Sequence, residues 1–373
     1  MKSLYSKRLL AVLTCVVVAA GLVTTANAKE EEKVLNIYNW SDYIAPDTIK
    51  NFEKETGIKV RYDVFDSNEI LHAKLIAKKT GYDIVVPSSN WAKLQIAGGL
   101  FQKLDKSKLT NYGNLDTGLL KQLAQVDPGN QYLIDWMWSY NTVGINVDKV
   151  KKALGTTPMP DNVWELVFNP KYADKLKTCG ITFLDTASDV FPAALHYMGK
   201  DPYSNNAADY NAAYDMMKKI RPDIKRFNSG GQIDELASGS ICVAYGWAGD
   251  FNLARKKSQD NKSPQNIVAL VPKDGGLMFM DTMAIPADAP HPGNALKFMN
   301  YVLQPKVVAA ITNEVTYANP NRAATPYVDA EIRNNKSIFL SDEDIAKLVA
   351  PGTVDNNTRR VMTRLFTRFK SGL

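Results

Sequence analysis

Histidine is almost missing from this chain, with His72, His196 and His291 the only three in 373 residues. His72 and His196 fall on predicted helices and His291 in a proline-flanked turn. None stands in a Ser/His/Asp or metal-ligand pattern. A phosphate-binding glycine loop, a dinucleotide-binding glycine fingerprint and a nucleophile elbow are missing too. The chain therefore lacks the motifs of the common hydrolases and nucleotide-dependent enzymes, and neither a catalytic residue, a cofactor nor a metal is expected. Internal repeats and low-complexity tracts are also missing. No dense Lys/Arg block precedes the far C-terminus, so nucleic acid is not an expected partner.

What is present begins with a segment to set aside. Lys2, Lys7 and Arg8 precede an apolar run from Leu9 to Val23, and Ala26-Asn27-Ala28 follows as a small-x-small cleavage signal. That reads as a secretory signal peptide over 1–28, the apolar run being short for a membrane span. Removing it takes the formal net charge from +6 to +3, since it holds three basic residues and no acidic one. Cys15 leaves with it. Cys179 and Cys242 remain, and an even pair in an exported protein favours a disulfide over two buried thiols.

The remaining length suffices for two domains with real cores. From Val34 onward, strand and helix patterns alternate as in a doubly wound lobe. Val34–Tyr38, Ile58–Val64 and Tyr82–Val86 read as strands. Pro46 opens one helix that Gly57 stops, and Asp66 with Glu69 makes a capping-box-like start to the next. A crossover into a second lobe is placed near Trp136–Asn146. There Gly180–Leu184 and Ile241–Tyr245 read as strands, with Ser188 or Asp189 as the bland cap of the helix after the first. Asn266–Pro272 reads as a strand returning to the first lobe. The expected division is 29–137 with 256–330 in lobe 1, and 138–255 with 331–373 in lobe 2. The C-terminal stretch reads as an amphipathic helix with a solvated basic face.

One pattern recurs at strand ends: an aromatic beside a carboxylate. It appears in Asn39-Trp40-Ser41-Asp42-Tyr43, in Gly246-Trp247-Ala248-Gly249-Asp250 and in Phe279-Met280-Asp281, with Asp189 after a strand and Tyr317 in a late loop. Taken singly, each is more often a packed turn with a solvated acid. Ligands of open α/β sheets sit beyond the strands' carboxyl ends, and Ser88 falls at such a point. Rings attract a cation while carboxylates neutralise it, so the set suits an elongated organic cation. A glycosidase-like pair of acids is the alternative, but no partner base stands out.

On these residues the chain resembles the periplasmic polyamine-binding proteins of ABC importers, most closely their putrescine-binding branch. The resemblance runs over essentially the whole mature chain and is carried by stretches such as Ile37–Asp47 and Gly246–Asp250. It implies an α/β, two-lobed, type II periplasmic-binding-protein fold, each lobe a central mixed sheet flanked by helices, with a hinge between them. It further implies a monomer in the periplasm that hands a polyamine, putrescine ahead of spermidine, to an inner-membrane ABC permease. A sensor or adaptor role and an extracytoplasmic amine-acting enzyme are the alternatives. Carried over by motif, the ligand contacts are Trp40, Ser41, Asp42, Tyr43, Ser88, Asp189, Ser229, Trp247, Asp250, Phe279, Asp281 and Tyr317. Asp189 stands where the family typically has Glu. Asn90 replaces Ser of the putrescine binder, and Thr186 replaces an acid of the spermidine binder. The family's paired cysteines match Cys179 and Cys242.

Overall fold

The computed structural model describes residues 31–259 and 261–373, so the expected signal segment lies outside the described residues. Among the described residues nine strands form in the order β1 (Val34–Trp40), β2 (Lys59–Phe65), β3 (Ile84–Val85), β4 (Ile134–Asn146), β5 (Ile181–Phe183), β6 (Ile224–Phe227), β7 (Val243–Trp247), β8 (Ile267–Ala269) and β9 (Leu277–Met283). The first three make a parallel sheet in the order β2-β1-β3. Helices Pro46–Thr56 and Asn68–Ala77 make the crossovers. Pro46 sits in the first turn of its helix, and Gly57 ends it in the left-handed region at φ 69°, a conformation glycine adopts without a Cβ penalty. The next helix is capped by Ser67, which accepts from the Ile70 amide, and not by the expected Asp66. Asp66 is instead taken up by Ser41, whose hydroxyl donates to it at 2.9 Å.

The second sheet runs β6-β5-β7-β4-β8 and is mixed. β4 is the element that joins the two halves. Its first part, Ile134–Asn141, pairs antiparallel with β9, and its last part, Asn141–Asn146, pairs with β7 and β8. β9 in turn reaches the first sheet through antiparallel bridges Ser88↔Asp281 and Val85↔Ala284. All thirteen β4 residues are buried. β8 forms where a strand was expected, but it pairs with Gly144–Asn146 in the second sheet. The return to the first sheet comes only with β9, because a strand shared by both sheets lets the chain stay on the far side for one more pass.

Each sheet has its own core, and a third cluster, with Tyr38, Leu71, Ala244 and Phe251, joins the two. Phe52, Ile84, Phe298 and Ile311 pack with the first, where Phe52 meets Phe298 edge to face at 5.1 Å. Trp164, Phe183, Phe191, Tyr245 and the inward face of helix Asn356–Ser371 pack with the second. Cys179 and Cys242 are disulfide-bonded. No helix among the described residues is long and apolar enough to cross a membrane.

Candidate functional site

The parallel strands β1, β5 and β7 all discharge toward one cleft between the sheets. About 860 Å³ of space, its mouth included, is enclosed there by loops from both sides. All twelve residues singled out from the sequence line it: Trp40, Ser41, Asp42, Tyr43 and Ser88 from the first sheet's loops; Asp189, Ser229, Trp247 and Asp250 from the second's; Phe279, Asp281 and Tyr317 from the returning segment.

Three carboxylates meet there, Asp250 and Asp281 buried and Asp189 half-buried, each with a specific donor. Asp281 sits on β9 opposite Met137; it accepts from Ser88 Oγ at 2.6 Å and from Tyr43 Oη at 2.9 Å. Asp250 lies in the first turn of helix Ala248–Gln259 and accepts from Tyr317 Oη at 2.6 Å. Asp189 lies in the first turn of helix Ala187–Tyr197. It accepts from Thr186 Oγ1 at 2.5 Å, Asn141 Nδ2 at 3.1 Å and Trp247 Nε1 at 3.4 Å. Neither Ser188 nor Asp189 caps that helix, whose N-cap position is Thr186. Asp189 is turned into the cleft instead.

Burial pushes the carboxyls of Asp250 and Asp281 up to about 7, against the pull of their hydroxyl donors. The charges of Asp189 and Asp250 push Asp281 further in the same direction. Burial raises Asp189 as well. Three acids that repel one another in a shielded cleft make it a site for positive charge. Asp42 differs: half-exposed in the left-handed region at φ 52°, it faces Lys257 across the cleft at 3.7 Å.

Rings wall the space between these acids. Trp40 and Trp247 meet edge to face at 6.0 Å, Tyr43 and Tyr317 at 4.8 Å, and Phe279 lies 6.5 Å from Tyr317. Trp40 is fixed by a hydrogen bond from its indole N–H to the Val86 carbonyl at 2.9 Å. Tyr317 reaches Asp250 only because residue 249 is glycine; a Cβ there would lie 2.1 Å from Tyr317 Cε2. Ser229 is used locally, its hydroxyl accepting from the Asp185 amide at 2.9 Å.

Sequence reasoning passed over several residues. Asn141 holds Asp189 from the centre of β4, and Asn68 brackets Ser88 by donating to its hydroxyl and accepting from its amide, both at 3.0 Å. Phe65 and Tyr203 also line the cavity. Asp135, behind Asp281 on β4, is 3 % exposed, and neither carboxylate oxygen has a hydrogen-bond partner. Burial, with the Asp281 charge beside it, pushes its carboxyl well above the usual range. Phe65 ends β2 beside Asp66, so the strand-end pattern could have found it; for Asp135 and Asn141 the unbroken burial of β4 erases the alternation that would have separated them from their neighbours. The three histidines serve the framework: His196 contacts the Gly275 carbonyl at 3.1 Å, and His291 contacts Asp83 at 3.1 Å. His72 lies against Trp91. The described residues hold no group of three or more His, Cys, Asp or Glu placed to bind a metal.

Residues 47–339 match the family model of the bacterial extracellular solute-binding proteins. The chain is 49 % identical to the putrescine-binding periplasmic protein PotF of Escherichia coli over 94 % of its own length and 95 % of that protein's. It is 46 % identical to the putrescine-binding periplasmic protein SpuD of Pseudomonas aeruginosa over 99 % of both. Among solved structures, a protein from Listeria monocytogenes assigned as a spermidine/putrescine ABC transporter superposes with a TM-score of 0.81. It is 30 % identical, over 91 % of this chain and 99 % of the other.

Proposed function

The chain belongs to the bacterial extracellular solute-binding proteins, and from that premise we propose that it captures a polyamine between its two lobes in the periplasm. It hands this ligand to an ABC permease. Putrescine is the first candidate and spermidine the second. The observation that carries this reading is the set of three carboxylates, buried Asp250 and Asp281 and half-buried Asp189, drawn from different segments into one ring-walled cleft. An elongated ammonium ligand satisfies two or more of them at once. Each charge-assisted hydrogen bond contributes about 1.5–3 kcal/mol, and a ring facing the cation adds roughly 0.5–2 kcal/mol. We assign ammonium anchoring to Asp250 and Asp281, with Asp42 and Asp189 as further acids, and enclosure of the methylene chain to Trp40, Trp247, Phe279 and Tyr317. Ser41, Tyr43, Ser88 and Ser229 complete the contacts.

The protein acts in this reading as a monomeric binder rather than a catalyst. Its acids are engaged by hydroxyls, an amide and an indole, an arrangement that holds charge without presenting a nucleophile or base. We take lobe 1 as 29–137 with the part of 256–330 from β9 onward, and lobe 2 as 138–255 with β8 and 331–373. Closure is the working motion, and the ligand favours it through its higher affinity for the closed state.

Calorimetric titration of the refolded, ligand-stripped protein with putrescine, cadaverine, agmatine, spermidine and spermine tests the proposal. One-to-one binding at about −8 kcal/mol or tighter, micromolar or better, is the expected result. Silence with all five overturns it.

The raised carboxyls give binding a definite pH dependence. A bound cation favours the ionised forms, so below pH 7 Asp250 and Asp281 must each release a proton before the ligand is held. Between pH 7 and 5.5 each group weakens binding by about tenfold, and the pair by on the order of a hundredfold. The ligand-free fold moves the other way. Its raised carboxyls take up protons before the unfolded chain does, so its stability grows as pH falls through 7 and is lost as pH rises. Titrations in buffers of different ionisation heat, with melting curves of the free protein, read both trends. Equal affinity at pH 7.5 and 5.5 contradicts this account.

A further inference from the structure

Away from the carboxylates, a second set of contacts crosses the cleft. Arg359 lies in the first turn of helix Asn356–Ser371, whose buried face, Met362, Leu365, Phe366 and Phe369, belongs to the core of the second sheet. Its guanidinium carbon stands 4.2 Å from the centre of the Trp91 ring. Trp91 is 3 % exposed and sits in helix Ser89–Ala97, which packs on β9 and on helix Asn68–Ala77. Beside it is the His72 ring, 5.1 Å away, and on the His72 helix Glu69 accepts from Ser188 Oγ at 3.2 Å. The Glu69 charge also acts on Arg359. The basic face of the C-terminal helix is therefore not wholly solvated at this end. Arg359 lines a recess next to the main cavity and is not among the residues lining the cavity itself.

We propose that Arg359 is a positioning residue for lobe closure, stacking on Trp91 across the cleft and so setting how fast the ligand leaves. Arg359 is on the helix that packs with the second sheet, whereas Trp91 is on the helix that follows β3 of the first, so the stack exists only while the lobes are together. A guanidinium lying on a buried indole is the stronger form of the cation–ring interaction, because little water competes for either partner. A contact made only in the closed state shifts the opening equilibrium by its own strength, whatever occupies the cavity. The inference rests on the reading that this cavity holds a polyamine by closing.

Stopped-flow measurement of putrescine association and release, with melting of the ligand-free protein, tests it on Arg359→Ala and Arg359→Lys. Arg359→Ala is expected to release ligand about 5- to 30-fold faster. Its association rate stays within twofold and its ligand-free melting temperature is nearly unchanged; Arg359→Lys falls between it and the parent. An unchanged release rate in Arg359→Ala overturns the clasp. A rise in release matched by a lower melting temperature and slower association overturns it too, assigning Arg359 to the fold. Failure of the parent protein to bind any polyamine counts against the ligand assignment and, since the clasp rests on that assignment, against the clasp as well.

Discussion

Asp250→Asn is expected to weaken polyamine binding by about 2–5 kcal/mol, roughly 30-fold to several-thousand-fold in dissociation constant. The side chain is 9 % exposed and holds Tyr317 at 2.6 Å. Asparagine keeps the size and one acceptor oxygen, so the Tyr317 bond and the helix start survive. What is lost is the charge facing the ammonium, which then sits desolvated and unpaired. The ligand-free variant should melt at the same temperature or higher, since a buried, raised carboxyl has been removed. Its pH dependence should shrink to that of Asp281 and Asp189. Calorimetry of parent and variant at pH 7.5 decides the point, and an unchanged constant would remove Asp250 from the site.

The second large effect concerns stability. Replacing both Cys179 and Cys242 by Ala is expected to lower unfolding stability by about 4 kcal/mol, from the chain-entropy account of a loop this long, the cysteines being 63 residues apart. The bond lies just before β5 and β7, which run parallel with Ile181 opposite Val243. It therefore fixes the strands at the ends away from the cleft, while Asp189, Trp247 and Asp250 follow the other ends. Neither cysteine lines the cavity. The denaturation midpoint should fall sharply with binding at 25 °C nearly unchanged. A loss of affinity larger than the loss of stability would mean that the staple shapes the site.

The strand-end groups were legible because each follows an apolar run and joins an aromatic to an acid with few alternatives for either. Trp40, Trp247 and Asp250 show themselves in this way, as do Ser88 and Tyr317 in their loops; Phe279 and Asp281 show the same pairing but lie inside β9 and not at a strand's end, and the family resemblance supplies Ser229. Asp135 and Asn141 were not legible, since β4 is buried on both faces and its sequence has no period to read. Asp66 looked like a helix cap, yet the neighbouring Ser67 reaches the free amide better. β8 was assigned to the wrong sheet because nothing in a three-residue strand records its partner. Arg359 looked solvated because the ring it covers lies more than 260 positions earlier in the chain. Local chemistry could be read from local sequence; contacts across the cleft could not.

The sharing of β4 between the two sheets also bears on export. β4 at Ile134–Asn141 awaits β9, whose last residue is Met283, so the first lobe cannot be completed until most of the polypeptide has been synthesised. Pairings so distant in sequence form slowly, because long loops must close before contacts reward them. A nascent chain of this design stays unfolded for longer than one whose first lobe were continuous. It therefore remains threadable through a membrane channel that accepts only extended polypeptide, and it acquires its final shape on the side where its ligand is found.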